Sequence, residues 1–213
     1  MSGILDLLNS DSGKSLVNEL AGQTGQDESK TGQLLSMALP VLMQAMNRNA
    51  SASPESADSL LNALNSKHDG SILNDLEGYF KGGVDESAIN DGSKILNHVL
   101  GDKQQHVEHA LSQKSGINAG TVAQILKMAT PLIMGYLGKK KAEHNVNNSG
   151  DLGGLLGGLL GGSDPKHERS FLESILDADG DGSIVDDVAG MFLDGNKKGN
   201  SGGLSGMIGD LLK

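Results

Sequence analysis

Gln33-Leu34-Leu35-Ser36-Met37-Ala38-Leu39-Pro40-Val41-Leu42-Met43 returns later in the chain as Gln124-Ile125-Leu126-Lys127-Met128-Ala129-Thr130-Pro131-Leu132-Ile133-Met134. The shared Leu, Met, Ala, Pro and Met occupy the same places. Apolar residues recur at spacings of three and four in both, the period of an amphipathic helix. A Pro inside such a pattern removes a backbone donor and clashes with the preceding turn, so each copy is predicted to be a long helix kinked or broken at Pro40 or Pro131. Similar turns, Thr24-Gly25 and Ser115-Gly116, stand upstream of the two copies.

A second duplication follows the first. Asp69-Gly70-Ser71-Ile72-Leu73-Asn74-Asp75 is matched by Asp181-Gly182-Ser183-Ile184-Val185-Asp186-Asp187. Before the Asp-Gly turns, short helices begin at Ser53-Pro54 and Asp164-Pro165, where Ser or Asp serves as N-cap and Pro takes the first helical position. Strand patterns are missing, so the fold class is all-α: two similar multi-helix halves with Pro-kinked helices and an EF-hand-like loop in the second half. The expected organisation is a first helical repeat over 1–80, connecting helices over 81–112 and the kinked helix of the second repeat over 113–141. A Gly/Asn-rich linker over 142–163, a helix-loop-helix with an Asp-rich loop over 164–195 and a Gly-rich tail with a short apolar helix over 196–213 complete it. The linker contains Gly153-Gly154-Leu155-Leu156-Gly157-Gly158-Leu159-Leu160, a composition that predicts mobility. The duplication favours two similar halves over one large core.

With 2% aromatic residues, no Trp and 31 Gly among 213 residues, the interior has to be built from Leu, Ile, Val, Met and Ala. Such a core is thin per residue and predicts modest stability. The formal charge of -10 repels phosphate backbones, which argues against nucleic acid as a partner. The absence of Cys removes disulfides, thiolate metal sites and cysteine nucleophiles. The segment Met1 to Leu8 does not read as a secretory signal and no run is long enough to span a bilayer, so a cytoplasmic protein is expected.

The chemistry is concentrated in one place. Asp177, Asp179 and Asp181 are spaced as the first ligands of a calcium loop, Gly182 permits the sharp turn, and the Ser183 carbonyl supplies the next oxygen. The twelfth position holds Val188 rather than Glu, so Asp187 or Asp186 closes a shortened loop or water completes the shell. The first copy has Asn65, Lys67 and Asp69 at the corresponding places. Its retained Asp-Gly residues therefore also fit a plain turn and cap, and Asp187 need not be a ligand. What sets the second copy apart is Asp177 and Asp179, because three acids at alternate positions repel one another without a counter-ion. Ca²⁺ is the expected cofactor.

Other signals do not hold. Ser12-Gly13-Lys14-Ser15 resembles the end of a phosphate-binding loop, but Leu8 stands where the first Gly belongs, and an ordinary helix start is expected. His106 and His109 could share a helix face but lack a third ligand. His68, His98, His144 and His167 are isolated. Met37, Met43, Met46, Met128 and Met134 read as core, and Lys139-Lys140-Lys141 complements a helix C-terminus. No nucleophile elbow, zinc-protease helix or nucleotide fingerprint occurs, so no enzyme is expected.

The two Pro-bearing segments, the Asp-Gly-Ser-Ile endings and the Gly-Gly-Leu-Leu-Gly-Gly stretch resemble the bacterial YidB-like family, known as domain of unknown function 937, over roughly residues 15–195. The resemblance implies a small all-α bacterial protein and transfers no catalytic residue. Two readings of function follow. One is a non-enzymatic, calcium-responsive structural or interaction protein. The other is a metal-independent self-assembling or adaptor protein, in which Leu/Ile patches at both chain ends and in the Gly-rich linker pair between subunits and the acidic loop is only a turn. A homo-oligomer or a protein partner is compatible with both.

Overall fold

The computed structural model describes residues 4–160, and every regular element among them is helical. In chain order these are α1 (Ile4–Asn9), α2 (Asp11–Thr24), α3 (Glu28–Ala52), α4 (Pro54–Ser66), α5 (Leu76–Phe80), α6 (Glu86–Leu100), α7 (Gln104–Ser115), α8 (Ala119–Glu143) and α9 (Ser149–Leu160). Short 3₁₀ turns at Ser71–Asn74 and Gly101–Lys103 precede α5 and α7.

Caps written into the sequence fix most boundaries. Ser10, Asp27, Ser53, Asp75 and Asn118 each accept a backbone N–H from the first turn of the helix they open, which satisfies donors that the helix itself leaves orphaned. Gly25 and Gly116 end α2 and α7 in the left-handed conformation, at φ 64° and 68°. That geometry favours glycine and returns the orphan carbonyls a donor. α3 and α8 are alike in plan: each has 25 residues, with Pro40 or Pro131 at the thirteenth. Neither Pro ends its helix.

Pro131 has no N–H to offer the Lys127 carbonyl one turn earlier. α6 crosses α8 at that point, with Gly92 so close that a Cβ there would overlap the Lys127 oxygen. The next carbonyl, of Met128, accepts the Tyr79 hydroxyl of α5 at 2.9 Å. The gap in the helix ladder is thus the place where two other elements attach.

α8 is apolar on every side, and a helix of that kind has to be surrounded. Every residue from Met128 to Gly138 is buried, under α2, α4, α6, α7, α9 and the 3₁₀ turn before α5. α3 is enclosed by α1, α2, α4, α6, α7 and α9. One continuous core runs from Ile4 to Leu159, with Leu34, Leu42, Ile125, Leu126 and Leu137 each at 1% exposure or less. Each such side chain stabilises the fold by about 1.5–3 kcal/mol. Met43, Met46, Met128 and Met134 are buried in it as expected, and Met37 is half-buried against it.

Three expectations are corrected by this arrangement. Among the described residues the halves do not keep separate cores, because α2 and α4 of the first pack on α8 of the second; a helix buried on so many sides takes cover from both. The stretch read as a mobile linker over 142–163 contains α9: Leu152, Leu155, Leu156 and Leu159 recur at three and four, form one face, and are buried against α3 and α4. The N-terminal patch is not a free sticky end, since Ile4 and Leu7 are buried in the chain's own core at 0% and 8% exposure.

Candidate functional site

Asp177, Asp179, Asp181, Ser183 and Asp187 lie outside the described residues, as do the helices expected over 165–176 and 184–193 and the tail over 196–213. Their first-copy counterparts lie inside, and they show what this turn needs in order to fold. Asp69 Oδ1 accepts the Ser71 N–H at 2.9 Å, and its bonding to Ser71 holds the carboxyl below the usual carboxylate range. Asp75 Oδ1 accepts the Gly78 N–H at 2.8 Å and caps α5. Gly70 adopts φ 101° so close to α8 that a Cβ there would crowd Lys139. The exposed Asn65 and Lys67 take no part in these bonds. The side-chain hydrogen bonds that shape the turn therefore come from Asp69 and Asp75, without Asn65 or Lys67.

Between Lys67 and Asp69 the chain dips inward. His68 is 5% exposed, its carbonyl is pressed against Gly138 of α8 so tightly that a Cβ would overlap it, and its Nε2 lies 3.4 Å from Asp91 Oδ2 of α6. Burial is the largest influence on the imidazole and pushes its pKa below the ordinary 6.5, against the opposing pull of Asp91; Lys67 lowers it further and Asp69 raises it. Tyr79, half-buried near the same carboxylate, is pushed up to about 12 first by desolvation and then by Asp91. These three groups join the turn, α5 and α6 to α8. No local motif signals the pairing, because His68 and Asp91 meet only through the packing of α6 on α8.

The junction has a pH signature. A histidine whose folded pKa is lowered binds fewer protons folded than unfolded, so its contribution is complete above the unfolded value and is lost as pH falls through about 6.5 toward the folded one. Chemical denaturation of the protein is expected to show stability declining from pH 7 to about 5.5, with a shallower decline in His68→Gln. Equal slopes in the two proteins would show that His68 does not titrate in this way.

The remaining sequence signals have plain positions. Ser12-Gly13-Lys14-Ser15 is the first turn of α2, capped by Ser10. His106 and His109 sit on α7 on either side of the buried Val107, with His109 exposed. Lys140 and Lys141 lie in the last turn of α8 as its dipole favours. Lys141 is buried, while Lys140 pairs with Glu143 at 2.7 Å and lies over the Tyr136 ring. Among the described residues no three His, Asp or Glu side chains converge as metal ligands, and every buried side-chain N or O has a hydrogen-bond partner.

Two grooves open on the surface of the described domain. One, of about 520 Å³, runs between the end of α8 and the glycine side of α9, past Lys140, His144, Gly150 and Gly154. The other, of about 340 Å³, lies where the last third of α3 meets the corner between α6 and α7. Its walls carry Arg48, His98 and Lys103, with Ala45 and Ala52 between them. Asn49 forms its floor, donating its side-chain amide to the His98 and Val99 carbonyls at 3.1 and 3.0 Å. Two cations, Arg48 and Lys103, thus line one groove of an otherwise acidic protein.

Fold and site together define an all-helical domain whose polar groups go to caps, turns and one buried junction. The chain belongs to the family described as bacterial protein of unknown function (DUF937), whose model matches residues 6–140, more than half of the chain. This is the YidB-like family that the paired Pro-bearing helices resemble. The match ends at Lys140, before α9, so the Asp-rich segment falls outside it. No curated protein and no solved structure matches the chain. No helix among the described residues is long and apolar enough to cross a membrane.

Proposed function

We propose that the protein is a non-enzymatic helical interaction protein that binds calcium through Asp177, Asp179 and Asp181, with the Ser183 carbonyl as a further ligand. One observation carries the reading: the first-copy turn folds with Asp69 and Asp75 as its bonded acids and a lysine at position 67. Asp177 and Asp179 are therefore surplus to the turn, and their mutual repulsion is relieved by a divalent ion that takes oxygen ligands. Asp187, the counterpart of the capping Asp75, acts as a cap first and closes the ion's shell only where the loop is shortened. A duplicated plan for the two halves is supported by the equal lengths of α3 and α8, their matched Pro positions and the glycine ends of α2 and α7.

Ion binding at such a loop orders the segments on either side of it and couples occupancy to their geometry. Titration calorimetry on the full chain is expected to show calcium uptake that Asp177→Asn with Asp179→Asn abolishes. At an ion concentration 100 times the Kd, the fold gains about 2.7 kcal/mol. No heat at millimolar calcium, together with a melting temperature indifferent to chelator, would leave the acidic segment as a turn only.

A further inference from the structure

The groove between α3 and the α6–α7 corner concentrates Arg48, His98 and Lys103 in a chain of net charge -10. Two features of its construction favour an anionic occupant. Two of the carbonyls at the end of α6, those of His98 and Val99, which would repel an anion, are already engaged by Asn49. α7 begins beside Lys103 with no side-chain cap and no acid in its own first turn, Asp102 lying in the 3₁₀ turn before it, so the positive end of its dipole adds to the cations.

The chain itself contains the complementary partner. Residues 173–194 carry seven acids, Glu173, Asp177, Asp179, Asp181, Asp186, Asp187 and Asp194, and no Lys, Arg or His. Sixteen residues separate Leu160, the end of α9, from Asp177. A stretch of that length reaches up to ~55 Å, more than the ~40 Å width of a domain this size. We propose that the basic groove receives the chain's own acidic segment, with the carboxylates around Asp177–Asp181 held against Arg48 and Lys103. Each exposed ion pair is weak alone. Tethering raises the local concentration of the segment to the millimolar range, and several pairs then act together.

The inference does not depend on calcium, and its test is run in chelator so that the two readings fail separately. The chain has no cysteine, so Asn97→Cys and Ser183→Cys accept two spin labels at unique positions, one beside the groove and one within the acidic segment. Pulsed dipolar spectroscopy on the full-length protein is expected to give a narrow short-distance peak at ~0.01 M salt. That peak is lost at ~1 M salt, where screening acts within ~3 Å. It is also lost in Arg48→Glu with Lys103→Glu, checked by circular dichroism to be folded, and it returns when Asp177, Asp179 and Asp181 are all changed to Lys in that variant. A broad distribution indifferent to salt and to charge reversal overturns the proposal. So does a short distance between singly labelled chains, which would assign the groove to a second copy.

Discussion

Gly92→Ala and Gly138→Ala are each expected to lower the melting temperature by about 5–10 °C. The added methyl at position 92 meets the Lys127 carbonyl and at position 138 the His68 carbonyl, and both obstacles are backbone that no side-chain rotation can move aside. α6, or the turn after α4, has to back away from α8, an overpacking cost of about 1–3 kcal/mol or more, and each kcal/mol is about 2–4 °C for a chain of this size. The same substitution has the opposite sign on α9. At Gly153, Gly154 and Gly157 a Cβ meets nothing within 4 Å, so alanine there raises helix propensity by up to about 1 kcal/mol and is expected to raise the melting temperature. Calorimetric scans of these variants compare like with like. If alanine at 92 and 138 melts as the wild type does, the close crossings on α8 do not exist.

Leu156→Asp is expected to be the most damaging single change in α9. The side chain is 0% exposed on the face that α9 lays against α3 and α4. Removing it forfeits the burial of a leucine and places an unpaired carboxylate among apolar side chains, a loss of at least ~4 kcal/mol. Thermal melting is expected to fall by ~10 °C or more, or to split into an early loss of α9 and a later loss of the rest. An unchanged melting curve would return residues 149–160 to the status of a linker.

That last contrast shows where sequence reading worked and where it did not. The long helices α3 and α8 were legible because period and Pro position are local properties, and the caps at Ser53 and Asp69-Gly70 were legible because turn chemistry is local too. α9 was obscured by glycine: its low helix propensity outweighed in the reading a leucine face that docking on α3 makes decisive. The His68–Asp91 contact and the Arg48–Lys103 groove join residues far apart in sequence, and neither carries a motif. The shared core was hidden for the opposite reason, since duplication suggests independence while the all-round apolarity of α8 requires neighbours from both halves. The positions in α3 that match Gly135 and Gly138 of α8 are Gln44 and Asn47. The flat glycine bed that seats the His68 turn therefore has no twin on α3, which is covered by α9 instead.

The interleaving of the halves bears on how the chain is made. A ribosome that has released residues up to Leu100 has produced α3 complete, but α7 and α9, which lie across it, and α8, on which α4 rests, are still to come. Closure of the interior joins segments about a hundred positions apart, which slows the search and prolongs the exposure of adhesive surface. Final closure of the interior therefore waits on synthesis, because the first half has no complete cover until the last helices emerge.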